Sequence, residues 1–105
     1  MLLRVAGATP TNRIAGAIAH MVRDSGSAEI QAIGAAAISQ AIKGAAVARI
    51  FLSNEEIDLV FVPSFVDVTI EGEARTAIRV WCGSRSEAPA QAPVQTRAPV
   101  QNRSE

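Results

Sequence analysis

Residues 29–49 read EIQAIGAAAISQAIKGAAVAR, and this stretch decides the fold because it predicts a short strand followed by a helix with almost no polar face. The strand ends at Gly34, and a helix rich in alanine and isoleucine runs from Ala35 to about Leu52. The polar residues of that helix are Ser39, Gln40, Lys43 and Arg49. A helix that is apolar nearly all round is covered on both sides. In a chain of 105 residues we expect the second cover to be another copy. The predicted oligomer interface of this homodimer or higher oligomer is Ala46, Val47 and Ile50.

The composition excludes several classes of protein. Ten basic and ten acidic residues cancel, and residues 1–83 hold seven basic against eight acidic residues, so the basic excess typical of nucleic-acid-binding proteins is missing. Cys82 is the only cysteine, which excludes an intrachain disulfide and suits a reducing compartment. The sequence opens without a signal-peptide pattern, and Gln40, Lys43 and Arg49 interrupt its longest apolar helix. We therefore expect a cytoplasmic protein without a membrane segment.

The composition changes near Gly83. Residues 84–105, SRSEAPAQAPVQTRAPVQNRSE, are rich in alanine, proline and glutamine and hold almost no large apolar side chains. Such a segment buries too little apolar area to offset the entropy lost on ordering. We therefore predict one folded domain over 1–83 and a disordered tail over 84–105.

The first half of the predicted domain alternates strands and helices. A strand covers 2–6, and the helix that follows has Thr9 as its cap, Pro10 in its first turn and Gly26 at its end. The second strand and the apolar helix described above complete a β-α-β-α pattern.

The second half predicts strands only. Nearly continuous apolar residues over 58–62 predict a strand in the interior of the sheet, interrupted by Pro63. Alternating patterns over 66–71 and 74–82 then predict a hairpin with its turn at 71–73. With the segments on either side of Pro63 counted as one interrupted strand, the order is β-α-β-α-β-β, an α+β fold in which two helices cover one face of a four-stranded mixed sheet and leave the other face partly open.

The last predicted strand carries Arg75, Arg79 and Trp81 on its outward face. Two interpretations stay open. These side chains form a charged stacking platform for single-stranded nucleic acid, or the arginines form ion pairs with Asp67 and Glu71, which we predict on the same face of the neighbouring strand.

Long stretches of the sequence resemble one family in register. The run IQAIGAAAISQAIKGAAVAR at 30–49, the run DLVFVPSFVDVTIEGEARTAIRV at 58–80 and NRIAGAIA at 12–19 resemble the stage V sporulation protein S family. That family is assigned to the Alba-like fold, and GAAAISQAI at 34–42 is similar to the Gly-x-x-Ala-Ile-Ser-Lys-Ala segment of Alba proteins. The resemblance implies an Alba-like fold and a small, dimer-forming scaffold that binds nucleic acid in sporulation or developmental regulation, without an established reaction.

The same resemblance selects candidate contact residues. Alba proteins carry phosphate-binding lysines in the loop after the first strand, where this sequence has Ala8 and the nearest basic residue is Arg13. The Alba lysine after Ala-Ile-Ser is Gln40 here, with Lys43 one helical turn later. With the outward Arg79, the predicted nucleic-acid-binding residues are Arg13, Gln40, Lys43 and Arg79.

The hairpin tip departs from the Alba pattern in charge. Alba proteins extend this hairpin toward a groove of the nucleic acid, and here Glu71 and Glu73 occupy the tip and would repel phosphate. An uncharged Gln40 also releases no counterion. These departures predict weak binding with a strong salt dependence.

The residue inventory does not favour catalysis. The sequence has no spaced Ser–His–acid set, no phosphate-cradling glycine loop and no set of metal ligands, and its one histidine, His20, has no predicted partner. We therefore expect no enzyme activity, metal, cofactor or small-molecule substrate. Two functions stay open: a regulatory homodimer that binds DNA or RNA, and a self-assembling scaffold that forms dimers or polymers without nucleic acid.

Overall fold

The computed structural model describes residues 2–89 and has the predicted order β-α-β-α-β-β. The elements, numbered in chain order, are β1 Leu2–Val5, α1 Thr11–Ser25, β2 Ser27–Ala32, α2 Ala35–Ser53, β3 Leu59–Ile70 and β4 Glu73–Ser84, followed by a 3-10 turn at Arg85–Glu87. β4 therefore continues past the predicted domain boundary at Gly83. Most of the predicted tail, residues 90–105, lies outside the described residues.

The four strands form one mixed sheet in the order β1-β2-β4-β3, as the predicted fold class requires. β1 and β2 are parallel and joined by α1, whereas β4 runs antiparallel to both of its neighbours. Directly paired residues share a face of a sheet. The pairs Ile30–Val80 and Ala28–Cys82 therefore lie on one face, and all four side chains are buried in a core shared with both helices. The other face, here called the open face, lies away from the helices.

The core is built from large residues of α1 and small residues of α2. Ile14 and Ile18 of α1 are fully buried. Most side chains that α2 buries are alanines, with one glycine and Leu52 beside them: Ala37, Ala41, Gly44, Ala45, Ala48 and Leu52. Small residues let two helices approach closely, so the alanine-rich side of α2 packs against α1 and the sheet. Ile42 and Ile50 remain exposed outside this contact, whereas Ile38 packs partly against the core.

The start of α1 differs from the prediction. Pro10, rather than Thr9, occupies the N-cap position, and its carbonyl accepts the N–H groups of Arg13 and Ile14 at 3.1 and 3.2 Å. The Thr9 hydroxyl instead accepts the N–H of Ala6 at 2.9 Å. Thr9 is therefore not the helix cap, because its side chain is used to close the preceding loop.

The glycines predicted to bound the helices are confirmed. Gly26 ends α1 with a φ of 92°, in the left-handed region that glycine enters without strain, and its N–H donates to the carbonyl of Val22. Gly34 precedes α2 with a φ of 88°. The chain therefore reverses at both points without a side-chain clash.

β3 departs from the prediction in two ways. It lies at the edge of the sheet, beside β4 only, and not in the interior. It also continues through Pro63 as one strand paired with β4 from Leu59 to Ile70. An edge strand tolerates a proline because one of its sides has no strand to bond. The apolar run is misleading because Leu59 faces the core, whereas Val60 and Val62 face the open side.

The register of the β3–β4 hairpin overturns the predicted facing of its charged side chains. Val68 pairs directly with Arg75, so these two residues share the open face. Asp67 pairs with Thr76 and lies on the opposite face. The prediction that Asp67 and the outward arginines share a face is therefore wrong, because strand side chains alternate with a period of two and Asp67 is out of phase by one residue.

α2 meets the length and composition of a membrane-spanning helix, although Lys43 and Arg49 lie within it. The sequence-based expectation that these polar residues exclude such a helix is therefore too strong. In this fold 33% of the apolar stretch of α2 is buried, against α1 and the sheet. Length and apolar composition alone do not distinguish a membrane-spanning helix from a core helix that also has an exposed apolar side.

Candidate nucleic-acid interface

Both helices begin at the same edge of the molecule. α1 follows β1 and α2 follows β2, and these strands are parallel neighbours, so the loops after them meet at one end of the sheet. Neither helix has an acidic residue in its first turn, and neither has a side-chain hydrogen bond to its cap. The first N–H groups of a helix lack intrahelical acceptors and carry a partial positive charge. This helix-start edge, defined as residues 6–13 and 34–43, therefore favours anions.

The loop before α1 packs closely on α2. Thr9 donates its N–H to the carbonyl of Ala6 at 3.1 Å and receives the Ala6 N–H on its hydroxyl, which makes a closed turn. Gly7 lies against Ala36 in the first turn of α2, where a Cβ on residue 7 would come within 2.8 Å of the Ala36 Cβ. The loop is thus held beside the start of α2 by close contact.

Gln40 fixes the same loop from the side of α2. Its Nε2 donates to the carbonyl of Thr9 at 2.8 Å and lies 3.3 Å from the hydroxyl of Thr11. Its Oε1 accepts a hydrogen bond from the ammonium of Lys43 at 3.3 Å. The amide is therefore engaged within the chain, and Gln40 acts as a positioning residue that joins the loop, α1 and Lys43. Its predicted direct contact with nucleic acid stays a prediction.

The two cations of the helix-start edge remain available. Arg13 is exposed in the first turn of α1, and Lys43 is exposed on α2 while bonded to Gln40. Both stay predicted phosphate contacts. The structure thus brings together Arg13, Gln40 and Lys43 on two adjacent helices.

Arg79 does not belong to this group. It lies on β4 and faces the open side of the sheet, where its Nη2 donates to Oε1 of Gln31 at 2.7 Å. Gln31 is 8% exposed and is the buried polar residue of the described chain. The four predicted nucleic-acid-binding residues therefore occupy two surfaces on opposite sides of the sheet.

The predicted oligomer interface lies along the outer side of α2. Ile50 is 65% exposed and Ala46 is exposed, whereas Val47 is half-buried and packs against the core. Ile42 is also exposed and precedes Ala46 by one turn. We call Ile42, Ala46 and Ile50 the α2 stripe, and their spacing of four residues places them on one face.

An open groove continues the α2 stripe toward β3. Its volume is about 660 Å³, and Ala46, Ile50, Ile57 and Phe61 line its apolar part. Phe65, further along β3, is 42% exposed. The sequence pattern did not predict the aromatic side of this surface, because Phe61 and Phe65 lie on the helix-facing side of β3, which the helices were expected to cover.

Two ion pairs close the far end of the groove. Asp58 accepts the Nε of Arg85 at 2.6 Å and the Nη2 of Arg49 at 3.2 Å. These hydrogen bonds, that of Arg85 first, hold the pKa of Asp58 below its usual value. The pairs tie the end of β4 to α2 and are exposed, so their role is positional.

The remaining reactive side chain is not poised for chemistry. Cys82 is buried, and burial raises the pKa of its thiol to about 12. The thiol is therefore protonated at neutral pH and is a poor nucleophile. Within residues 2–89, no group of three His, Cys, Asp or Glu side chains is arranged to hold a metal ion.

Comparison with known proteins identifies the family of this chain. The family described as Stage V sporulation protein S (SpoVS) matches residues 1–85. The chain belongs to the stage V sporulation protein S family. Among solved structures, Alba from Thermoplasma volcanium is similar to this SpoVS-family chain, with a TM-score of 0.53 and 17% sequence identity over 79% of this chain and 99% of that chain. At this identity the similarity establishes the Alba-like fold of the SpoVS-family chain.

Proposed function

We propose that this SpoVS-family chain is a homodimeric, non-enzymatic regulatory protein that binds DNA or RNA in the cytoplasm, in sporulation or developmental control. The observation that carries the proposal is the helix-start edge. Two helix N-termini without acidic side chains or side-chain caps lie side by side there, with Arg13 and Lys43 exposed beside them. Backbone N–H groups at helix starts and flexible cations are the groups that contact phosphates in nucleic-acid complexes.

The charge of the chain limits the affinity of this surface. The loop offers Ala8 where Alba proteins have a lysine, and Glu71 and Glu73 flank the hairpin turn. Two cations neutralise few phosphates. Each neutralised phosphate makes the slope of log affinity against log salt concentration more negative by about 0.9. We therefore expect weak, non-specific binding that is lost at moderate salt.

A dimer would strengthen such weak binding. The α2 stripe and the adjoining groove present Ile42, Ile50, Phe61 and Phe65 to solvent on one side. A second copy related by a two-fold axis would cover this apolar surface with the same surface. Two helix-start edges in one particle would then contact the same nucleic acid, and linked contacts raise the overall affinity.

The binding proposal is tested by fluorescence anisotropy of a labelled duplex at low and at rising salt. We expect Arg13→Gln and Lys43→Gln to weaken binding at low salt and to lower the salt slope by about one each. Arg23→Gln is the matched control, because Arg23 lies on the same helix about 15 Å further along and is paired with Glu55. Equal affinities of the three variants and the unmodified chain would overturn the assignment of the helix-start edge.

The second candidate function is self-assembly without nucleic acid. The exposed α2 stripe favours it, and the neutral charge of the chain gives no electrostatic reason for nucleic acid as the partner. Sedimentation of the chain alone tests the shared element of both functions. We expect a dimer or larger species that Ile50→Glu shifts toward monomers, whereas His20→Glu, on the exposed side of α1, leaves the mass unchanged. A well-behaved monomer at high concentration would reject both the dimer and the assembly.

A further inference from the structure

The open face of the sheet carries a band of cations that the proposed function does not use. Across the sheet Arg4 pairs with Gln31, Gln31 with Arg79 and Arg79 with Ser64, so these four residues form one row. Arg75 lies on the same face of β4, four residues before Arg79. Strand spacings place Arg4 about 10 Å and Arg75 about 13 Å from Arg79. The band therefore crosses the sheet from β1 to β4 and then turns along β4.

The carboxylates of this face lie outside the band. Glu29 is in the neighbouring row beside Trp81, and Glu73 is at the hairpin tip opposite Ile70. Asp67 is on the other face, as the register requires. The middle of the open face thus holds arginines among serine, glutamine and valine side chains. The three arginines against the carboxylates of Glu29 and Glu73 leave the open face with one positive charge in excess, which favours an anionic partner.

The centre of the band has an unmet hydrogen-bond donor. Arg79 uses its Nη2 to bond Gln31, whereas its Nε is buried and has no hydrogen-bond partner among the described residues. A buried donor without an acceptor costs free energy, and a shift of the Arg79 side chain that brings Nε to a bound acceptor would remove that cost. An anionic oxygen is the acceptor that best suits a guanidinium.

An aromatic ring adjoins the arginines. Trp81 lies two residues beyond Arg79 on the same face, and its indole covers Gly83, where a Cβ would come within 2.5 Å of the ring carbon Cη2. The ring is half-buried, because it rests on the glycine backbone, and Val62 lies opposite on β3. A ring held in this way presents a fixed surface on which a planar group can stack.

We propose that the open face binds single-stranded nucleic acid, with a base stacked on Trp81 and phosphates on Arg4, Arg79 and Arg75. Stacking on a fixed ring beside a cationic track is the chemistry by which proteins hold single strands. A stacked duplex shields its base faces, so the open face discriminates against it. This inference rests on the proposed function only in taking nucleic acid as the ligand, and it uses a separate surface.

The test uses the fluorescence of Trp81, which is the only tryptophan of the chain and so reports on this face alone. An oligothymidylate of about 15 nucleotides should quench the emission at low salt, and a duplex of the same length should not. Arg4→Gln with Arg75→Gln, both exposed positions, should weaken the quenching titration about fivefold or more. The charge-matched control, Arg23→Gln with Arg49→Gln, removes two exposed arginines that pair with Glu55 and Asp58, away from the open face, and should leave the quenching unchanged.

A second measurement avoids dependence on the tryptophan signal. By anisotropy of the labelled oligothymidylate, Trp81→Leu should lower affinity about tenfold, whereas Trp81→Phe, which keeps a ring, should lose less. Far-ultraviolet circular dichroism of each variant confirms that the fold is intact.

The outcomes separate the two surfaces. Single-strand binding that leaves the emission of Trp81 unchanged, or that is insensitive to the Arg4 and Arg75 changes, overturns the inference. Duplex binding that depends on Arg13 can persist in that case, and the proposed function then stands. Quenching by the single strand without any duplex binding supports the open face and rejects the helix-start edge. Emission that varies with protein concentration and not with oligonucleotide assigns the face to a second copy and overturns the inference.

Discussion

Gly44 of α2 lies directly against Ile14 of α1, and a Cβ on residue 44 would overlap the Cβ and Cγ2 atoms of Ile14. The isoleucine is fully buried, so it has no free space into which to move. This contact sets how closely the two helices approach. It also explains why residue 44, at the centre of α2, is a glycine and not a residue with a higher helix propensity. The close approach in turn places the helix starts side by side.

Gly44→Ala should therefore destabilise the protein by about 1–3 kcal/mol, because overpacking a filled core forces side chains or backbone to shift. Gly16→Ala is the matched control. Residue 16 is exposed in α1 and a Cβ there meets nothing within 4 Å, so the change should stabilise by about 0.5–1 kcal/mol. Urea denaturation measures both. Equal effects of the two substitutions would show that α1 and α2 do not pack at Gly44.

Gln40 offers a test of both position and charge. Gln40→Leu should cost about 1 kcal/mol, because it removes the hydrogen bond to the Thr9 carbonyl that holds the loop before α1. Gln40→Lys keeps a donor near that carbonyl and adds a charge at the helix-start edge, so duplex affinity at low salt should rise and the salt slope should steepen by about one. Thermal unfolding and anisotropy measure the two effects. A lysine variant with the affinity of the leucine variant would place the phosphates elsewhere.

The contribution of Asp58 to the free energy of unfolding should depend on pH. Hydrogen bonds from Arg85 and Arg49 lower its pKa in the folded chain, so the unfolded chain binds the proton more readily. Its contribution is then present above the unfolded value of about 4 and is lost as pH falls through the lower folded value.

The difference in urea midpoint between the unmodified chain and Asp58→Asn should therefore shrink as pH is lowered from 7 to 3. Asp24→Asn, on exposed α1, serves as the control for the general effect of removing a carboxylate. A difference that is constant over this range would show that the ion pairs at the end of the groove contribute nothing.

Cys82 should be inert in the folded protein. Its thiol is buried and its pKa is raised to about 12, so the thiolate is scarce at pH 8 and reagent cannot reach it. We expect an aromatic disulfide reagent to react only as fast as the chain opens, and to react at once in denaturant. Rapid modification of the native protein would show that the β4 side of the core is accessible.

Local pattern was sufficient for the order and type of the elements. Alanine and isoleucine without a polar face predict α2, the stripe of α1 predicts a helix ending at Gly26, and alternation predicts the hairpin. The candidate site was predicted less well. Arg13, Gln40 and Lys43 do lie together, but their assembly depends on the parallel pairing of β1 and β2, and Arg79 lies on another surface.

The errors share one cause, which is that pairing partners are remote in sequence. Pro63 and the apolar run before it predict a broken interior strand, yet β3 is continuous because it lies at the edge. The facing of Asp67 depends on which residue of β4 it meets, and a shift of one residue reverses it.

By itself the sequence determined the secondary structure, the apolar excess of α2 and the absence of a basic composition, because these follow from side chains near in the chain. Tertiary structure alone decided the strand order, the register of the hairpin and hence which charges share a surface. Those features depend on contacts between residues as distant in the chain as Ser27 and Gly83, where backbone pairing and core packing, and not local propensity, select the arrangement.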